Sequence, residues 1–245
     1  MPFLTVITVV HDNFKGLLSI YEHLNIFLNE DIRWIIKDSG SCKKTEIWSS
    51  KVDNPNIRFI LSKDKGIYNA LNIAIRETKS DFYLVVGSDD YVFHAALNHL
   101  KNAYYKNQFS NLDIITFPII VKNKIYFPKR YRPSSFSISS IITSHSVGTI
   151  IRTSIHHELG FYDESYKILA DSYFIRIAQL KKYRFKLINH PTIGVFSTHG
   201  ISNTEYLLKA KEAFKYNRMC RSPIPLQAFY YLIRLLVIFY KYAKK

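Results

Sequence analysis

The chain has 245 residues, enough for one large domain, and its 47% hydrophobic and 15% aromatic content excludes wholesale disorder. Lys and Arg outnumber Asp and Glu by 34 to 19, and the resulting charge of +15 favours polyanionic partners such as nucleic acid, anionic lipid or phosphorylated substrates. Only 8 Gly and 8 Pro, with no internal repeat, exclude a fibrous or low-complexity protein; the two distant cysteines, Cys42 and Cys220, lack metal-type spacing and read as thiols of a reducing compartment.

The first apolar run, Leu4–Val10, predicts a buried strand, since it lacks the basic start and small-residue cleavage site of a signal peptide. Leu17, Ile20, Tyr21, Leu24, Phe27 and Leu28 then recur at helical spacing. Residues 33–37 predict a second strand ending just before Asp38, followed by a polar turn at 39–44 and a short helix at 45–50. Ile57–Leu61 predicts a third strand, and 66–78 a helix with Ile67, Ala70, Leu71, Ala74 and Ile75 on one side. Residues 82–86 predict a fourth strand that ends at Gly87-Ser88-Asp89-Asp90. This alternation implies an α/β fold: a mostly parallel central sheet with helices on both faces. Ligands of such sheets bind outside the carboxyl ends of the strands. The polar clusters after the first, second and fourth strands should therefore converge on one crevice.

The second half is less regular. Residues 114–120 and 124–127 predict a hairpin around Lys122-Asn123, and 134–140 a serine-rich loop. Strands are expected at 147–152, 185–188 and 192–196, and helices at 155–159, 172–180 and 204–217. Pro223 and Pro225 precede a last, basic amphipathic helix over 223–245. Its run 226–240 is apolar apart from Gln227 and Arg234, and is too short and interrupted for a span of about 20 apolar residues. With Lys241, Lys244 and Lys245 at its end, it can lie in a lipid interface or pack on the domain.

Three segments carry chemistry. Adjacent acids Asp89 and Asp90 at a strand end can offer oxygens to a hard cation, Mn2+ or Mg2+, although the dipeptide alone also reads as a turn that caps a helix. Asp38-Ser39-Gly40-Ser41 can accept from a base N–H or a ribose hydroxyl, or simply turn the chain. The basic glycine turn Ser62-Lys63-Asp64-Lys65-Gly66 opens a helix, so that backbone N–H groups and Lys65 can face a diphosphate.

Together with Thr5-Val6-Ile7-Thr8-Val9-Val10, these segments resemble the family 2 glycosyltransferases of GT-A fold, in particular the short bacterial branch that builds surface polysaccharides such as O-antigen. The resemblance continues through Asp64 to Asn72, His145-Ser146, Gly160-Phe161-Tyr162-Asp163-Glu164, Ala170-Asp171-Ser172 and His199-Gly200-Ile201-Ser202. It implies a catalytic domain over 1–222, with 1–110 binding a nucleotide-sugar donor and 111–222 an acceptor glycan or undecaprenyl-linked acceptor. It also implies that Thr8, Val10 and Asp38 hold the nucleotide, that Lys65, Gly66, Ser88 and Asp89 line the donor pocket, and that Asp90, with His199, holds the metal. Asp171 aligns with the catalytic base. Ser39, Lys43 and Lys44 depart from the family pattern around the Asp38 turn, and His145 lacks the glutamine that follows it there.

The implied activity is inverting transfer of a sugar, UDP-linked by default, at the inner face of a cell membrane, to which the last helix attaches. Rival readings are a nucleotidyltransferase, which also uses paired acids and metal, and a basic nucleic-acid-binding module. No recognised nucleic-acid motif is present, and nucleic acid is not an expected partner.

Overall fold

A computed structural model describes residues 1–40, 42–131, 140–197, 205–219 and nine positions between 224 and 236. The elements run β1 (Leu4–Val10), α1 (Phe14–Leu24), β2 (Ile32–Asp38), α2 (Lys43–Ser49), β3 (Ile57–Leu61), α3 (Ile67–Arg76), β4 (Phe82–Val85), β5 (Tyr91–Val92) and α4 (His94–Tyr105). There follow β6 (Ile114–Thr116), β7 (Ile119–Val121), β8 (Lys124–Tyr126), β9 (Lys129–Tyr131), β10 (Ser140–Ile142), β11 (Thr149–Arg152), α5 (Ile155–Leu159), α6 (Ala170–Leu180), β12 (Phe185–Leu187), β13 (Gly194–Val195) and α7 (Tyr206–Met219).

The central sheet has seven strands in the order β12-β6-β11-β4-β1-β2-β3. Only β11 runs against the others, so the mostly parallel sheet expected from the strand–helix alternation is what forms. Strand pleating sends alternate side chains to opposite faces. Val6 and Val10 of β1 and Trp34 and Ile36 of β2 pack with Leu17 and Ile20 of α1 and Leu97 and Leu100 of α4. Ile7 and Ile35 point the other way, onto Leu71 and Ile75 of α3 and Phe174 of α6. The same alternation puts Lys37 on the α3 side of the sheet, where it is fully buried.

A second sheet, β5-β13-β7-β8, lies beyond β4 in the chain. The apolar run predicted as one strand over 114–120 is divided between the two sheets, β6 in the first and β7 in the second. Pro118 stands at the break; it has no N–H for a ladder and fixes its own φ. The predicted hairpin forms between β7 and β8, with Lys122 (φ 48) and Asn123 (φ 59) at its turn, the paired left-handed residues of a tight hairpin. Most of the serine-rich loop and much of the expected last helix lie outside the described residues. The described positions there are helical, and Ile224, Phe229, Leu232 and Leu236 are exposed. Among the described residues, no helix is long and apolar enough to cross a membrane.

On the α3 face, His156 Nδ1 lies 3.0 Å from the Gly160 carbonyl and Nε2 lies 2.7 Å from Tyr83 Oη. A carbonyl only accepts, so the proton sits on Nδ1 and Nε2 accepts from Tyr83. Burial pushes this imidazole down from 6.5 to about 4. In that interval the unfolded chain binds a proton that the folded chain refuses, so stability present above pH 6.5 is lost as the pH falls toward 4. The loss is about 3 kcal/mol at about 1.4 kcal/mol per pK unit. His156→Gln should be less stable at neutral pH but flatter across this window in urea unfolding. A wild-type slope that survives in the variant would assign the acid sensitivity elsewhere.

Candidate active site

The site is built where β1, β2 and β3 end level. Val10 pairs with Asp38, and Asp38 with Leu61, so the loops that follow lie side by side. They are tied across: His11 Nδ1 meets Ser39 Oγ at 3.1 Å, and Asn13 Nδ2 donates to Ser88 Oγ at 2.8 Å. The loop after β1 thus holds the loops after both β2 and β4, and the three polar clusters share one mouth. Gly16 permits this approach; a Cβ there would stand 2.2 Å from the Ser88 carbonyl oxygen.

Asp38 is fully buried. Its Oδ1 accepts from the Gly40 N–H at 2.7 Å, whereas Oδ2 has no partner among the described residues. A buried carboxylate oxygen without a donor is costly. It is satisfied when a ligand brings an N–H or O–H, as a nucleotide base or ribose does.

Lys37, beside it, was not singled out in the sequence. Its Nζ donates to the Asp38 carbonyl at 2.8 Å, the Ser62 carbonyl at 2.6 Å and Asp64 Oδ2 at 2.9 Å. This buried ammonium is fully paired, and it fixes the glycine turn against the Asp38 strand end. A lysine within an apolar strand, with an acid in a later turn, was the available signal. The turn enters α3 through Gly66 at φ +122, a conformation that disfavours a side chain. Lys65, like Lys63 in the same turn and Lys43 and Lys44 at the start of α2, is exposed and gives the mouth a cationic rim suited to phosphate.

The acids after β4 have different surroundings. Asp90 is buried; Oδ2 accepts from the Gly87 N–H at 3.0 Å and Oδ1 from the Ser197 N–H at 2.9 Å. Burial, with a smaller contribution from the charge of Asp89, raises its pKa to about 6. Asp90 therefore closes the turn and anchors the chain after β13. Asp89 is exposed, and its carboxylate has no hydrogen bond or ion pair among the described residues. Mg2+ and Mn2+ need only one or two protein carboxylates when a substrate phosphate completes the shell, and Asp89 fits that arrangement. A preformed protein cage does not fit: among the described residues, no group of three or more His, Cys, Asp or Glu converges. His199 lies outside the described residues.

Asp171 opens α6 and is half-buried. Its Oδ1 accepts from the Ser172 N–H at 2.7 Å and from Tyr68 Oη at 3.1 Å. Burial raises its pKa, and those two hydrogen bonds offset part of the rise. Tyr68 lies in the first turn of α3, two residues beyond Gly66, and also donates to the Ile168 carbonyl at 2.6 Å. Asn72 of the same helix donates to Tyr162 O and Glu164 Oε1, both at 2.9 Å, and accepts from Tyr162 N. A continuous set of contacts therefore leads from Asp38 through Lys37, Asp64 and α3 to Asp171.

One more contributor, on α7, was not legible in the sequence. Glu212 of α7 is buried and accepts the N–H groups of Lys167, Ile168 and Leu169 at 2.6, 3.0 and 2.9 Å. These donors precede α6, so Glu212 fixes the approach to Asp171. His145 has φ 51, and its ring stacks on Phe196 at 3.8 Å; burial, then the charge of Lys209, lowers its pKa.

Two of the expected nucleotide contacts have buried side chains. Thr8 is fully buried in mid-strand, and its Oγ1 accepts from Trp34 Nε1 at 3.0 Å, so the pleat turns it into the core. Val10 also buries its side chain; its carbonyl accepts from Ser39 N at 3.3 Å and so braces the Asp38 turn. Ser88 reaches the mouth, with its hydroxyl engaged by Asn13.

Solved structures share this fold. S. aureus TarS 1-349 in complex with UDP-GlcNAc superposes with a TM-score of 0.67 at 16% identity, over 92% of this chain and 69% of that one. Mannosyltransferase PcManGT from Pyrobaculum calidifontis, in complex with GDP-Man and Mn2+, gives 0.65 at 14% identity, over 94% and 70%. Among curated protein sequences, none matches this chain. The family profile described as Glycosyl transferase family 2 matches residues 5–190, most of the chain and every strand that forms the mouth, and the protein belongs to that family.

Proposed function

We propose that this protein is an inverting, metal-dependent glycosyltransferase that moves a hexose or N-acetylhexosamine from a UDP-linked donor to a lipid-linked glycan. The observation that supports the reading is the chain of contacts through Lys37, Asp64 and α3 that joins Asp38, with a buried oxygen lacking a donor among the described residues, to Asp171, a half-buried carboxylate of raised pKa. The first accepts from the nucleotide. The second takes the proton from the attacking acceptor hydroxyl. Attack opposite the leaving group inverts the anomeric centre.

The structural neighbours TarS and PcManGT are recorded with UDP-GlcNAc and with GDP-Man and Mn2+, which supports a nucleotide-sugar donor and a divalent cation here. Asp89 would hold that cation; when bound, it would neutralise charge developing on the departing diphosphate. Lys65 and the N–H groups at the start of α3 face the same phosphates. Residues 1–110 serve the donor and 111–222 the acceptor. Synthesis of a surface polysaccharide on an undecaprenyl carrier, at the inner face of the membrane, is the cellular setting of this reading.

Thermal unfolding in the presence of UDP- and GDP-sugars, with and without Mn2+, tests it. A donor at about 100 times its dissociation constant should stabilise the fold by about 2.7 kcal/mol. Turnover should release nucleoside diphosphate, not pyrophosphate, and should stop with excess chelator. Indifference of the fold to every nucleotide sugar would refute the reading; pyrophosphate release would replace it with nucleotidyl transfer.

A further inference from the structure

We propose that the β7–β8 hairpin docks this protein on an anionic lipid surface and sets the mouth of the active site beside that surface. The inference deepens the proposed transfer to a lipid-linked acceptor and rests on that reading for its purpose, though not for its geometry.

β8 is the edge strand of the second sheet, and all three of its residues are exposed. Edge strands are ordinarily protected by shortness, charge, proline, bulges or a covering element rather than lined with apolar side chains. Here Ile125, Tyr126 and Phe127 are consecutive and 52%, 52% and 49% exposed. Lys122, Lys124, Lys129 and Arg130 flank them, all exposed and without an ion-pair partner among the described residues. Between Asp113 and Glu158 the sequence contains no Asp or Glu, so no local acid offsets this charge.

Apolar and aromatic side chains ringed by lysine are the composition that enters a headgroup layer, with the ammonium groups held at the phosphates. Charge complementarity selects this occupant over a second copy of the chain. Bringing two copies of this hairpin together would crowd Lys122, Lys124, Lys129 and Arg130 of one against the same four of the other, with no acid between them. A nucleic acid would use the tyrosine and phenylalanine for stacking but would leave Ile125 without a role.

The register of the small sheet connects this surface to the site. Val195 pairs with both Tyr91 and Ile120, Ile120 pairs with Ile125, and Phe196 N donates to the Ile120 carbonyl. Asp90, which holds Ser197 N, therefore stands at the same end of the sheet as the hairpin turn. β5 and β8 are separated by three inter-strand steps, roughly 14 Å. A carrier lipid lying beside the hairpin would present its sugar near the metal turn without leaving the membrane.

Sedimentation of the full chain with vesicles tests the proposal, using phosphatidylcholine alone and phosphatidylcholine with phosphatidylglycerol. Wild type should bind the mixed vesicles, more weakly at high salt. Ile125→Ser/Phe127→Ser and Lys122→Glu/Lys124→Glu should each bind at least about tenfold more weakly. Both should keep wild-type thermal unfolding, nucleotide-sugar binding and transfer to a soluble acceptor. Undiminished binding by both variants overturns the proposal, as does a wild type that ignores anionic vesicles. Loss of self-association in the variants with unchanged sedimentation would make the edge a contact between copies, and retention on nucleic acid in place of lipid would make it a nucleic-acid surface; either result overturns it. Vesicle binding without nucleotide-sugar binding would leave the docking surface standing and remove the transferase reading.

Discussion

Asp171→Asn should lower sugar transfer by on the order of 10³-fold, within the range for loss of a general base, while donor binding stays near wild type. The asymmetry follows from position. Among the described residues, Asp171 is hydrogen-bonded to the donor half through Tyr68 of α3, whereas Asp38 is joined to the glycine turn before α3 through Lys37 and Asp64. Asparagine keeps the acceptor oxygen for Tyr68 Oη and Ser172 N–H, so the first turn of α6 should persist. What it removes is the lone pair that takes the proton. The pH profile supplies a second check. A base works only when ionised, and burial raises the pKa of Asp171 above its ordinary 3.8. Turnover should therefore fall on the acid side with a midpoint above 3.8, not at it. Tyr68→Phe removes a hydrogen bond that favours the charged form, so it should move that midpoint higher still. An Asp171→Asn enzyme at full rate, or an acid limb unmoved by Tyr68→Phe, would separate this carboxylate from the chemistry.

The parts of this fold legible in the sequence are those with short-range causes. β1 and β3 were readable as short continuous apolar runs, and α3 because its apolar residues repeat at the helical period. That the loops carrying Asp38, Ser88 and Asp89 lie together was readable because they follow the carboxyl ends of strands in a mostly parallel sheet. The division of 114–120 was not, because apolar pattern alone cannot say which of two sheets a strand joins. α4 was not predicted; its sequence mixes Asn, His and Lys with apolar residues and shows weak amphipathicity, and only the packing of Ala96, Leu97 and Leu100 shows its inner face. Thr8 was assigned to the nucleotide by resemblance, and the pleat turns its side chain into the core. Lys37 and Glu212 carry buried charges whose partners lie 27 and up to 45 residues away. No local pattern marks such pairs, yet they hold the turn before α3 and the approach to Asp171.

The adjacent acids Asp89 and Asp90 should separate under substitution, although the family resemblance put the metal on Asp90. Asp89→Asn should reduce transfer by on the order of 10²- to 10³-fold, typical for loss of one preorganised electrostatic contact to a developing charge. It should also raise the Mn2+ concentration needed for half-maximal rate, with stability near wild type because the side chain is exposed. Asp90→Asn should behave differently. Its carboxylate accepts one N–H on each oxygen, from Gly87 and from Ser197. An amide offers one acceptor and turns its own N–H groups on the second donor, leaving a buried N–H unpaired. That costs about 1–3 kcal/mol, and it loosens both the turn after β4 and the chain leaving β13. The rate should fall through disorder of the mouth, while the Mn2+ requirement of the folded fraction stays unchanged. Manganese titration of both variants, alongside their urea midpoints, separates the two roles. A raised metal requirement in Asp90→Asn with an unaltered Asp89→Asn would return the metal to the buried acid. The physical argument makes the opposite ordering the expected one: Asp90 is buried with one acceptor site on each oxygen already taken by a backbone N–H, whereas its exposed neighbour offers both oxygens to a cation at no cost to the turn.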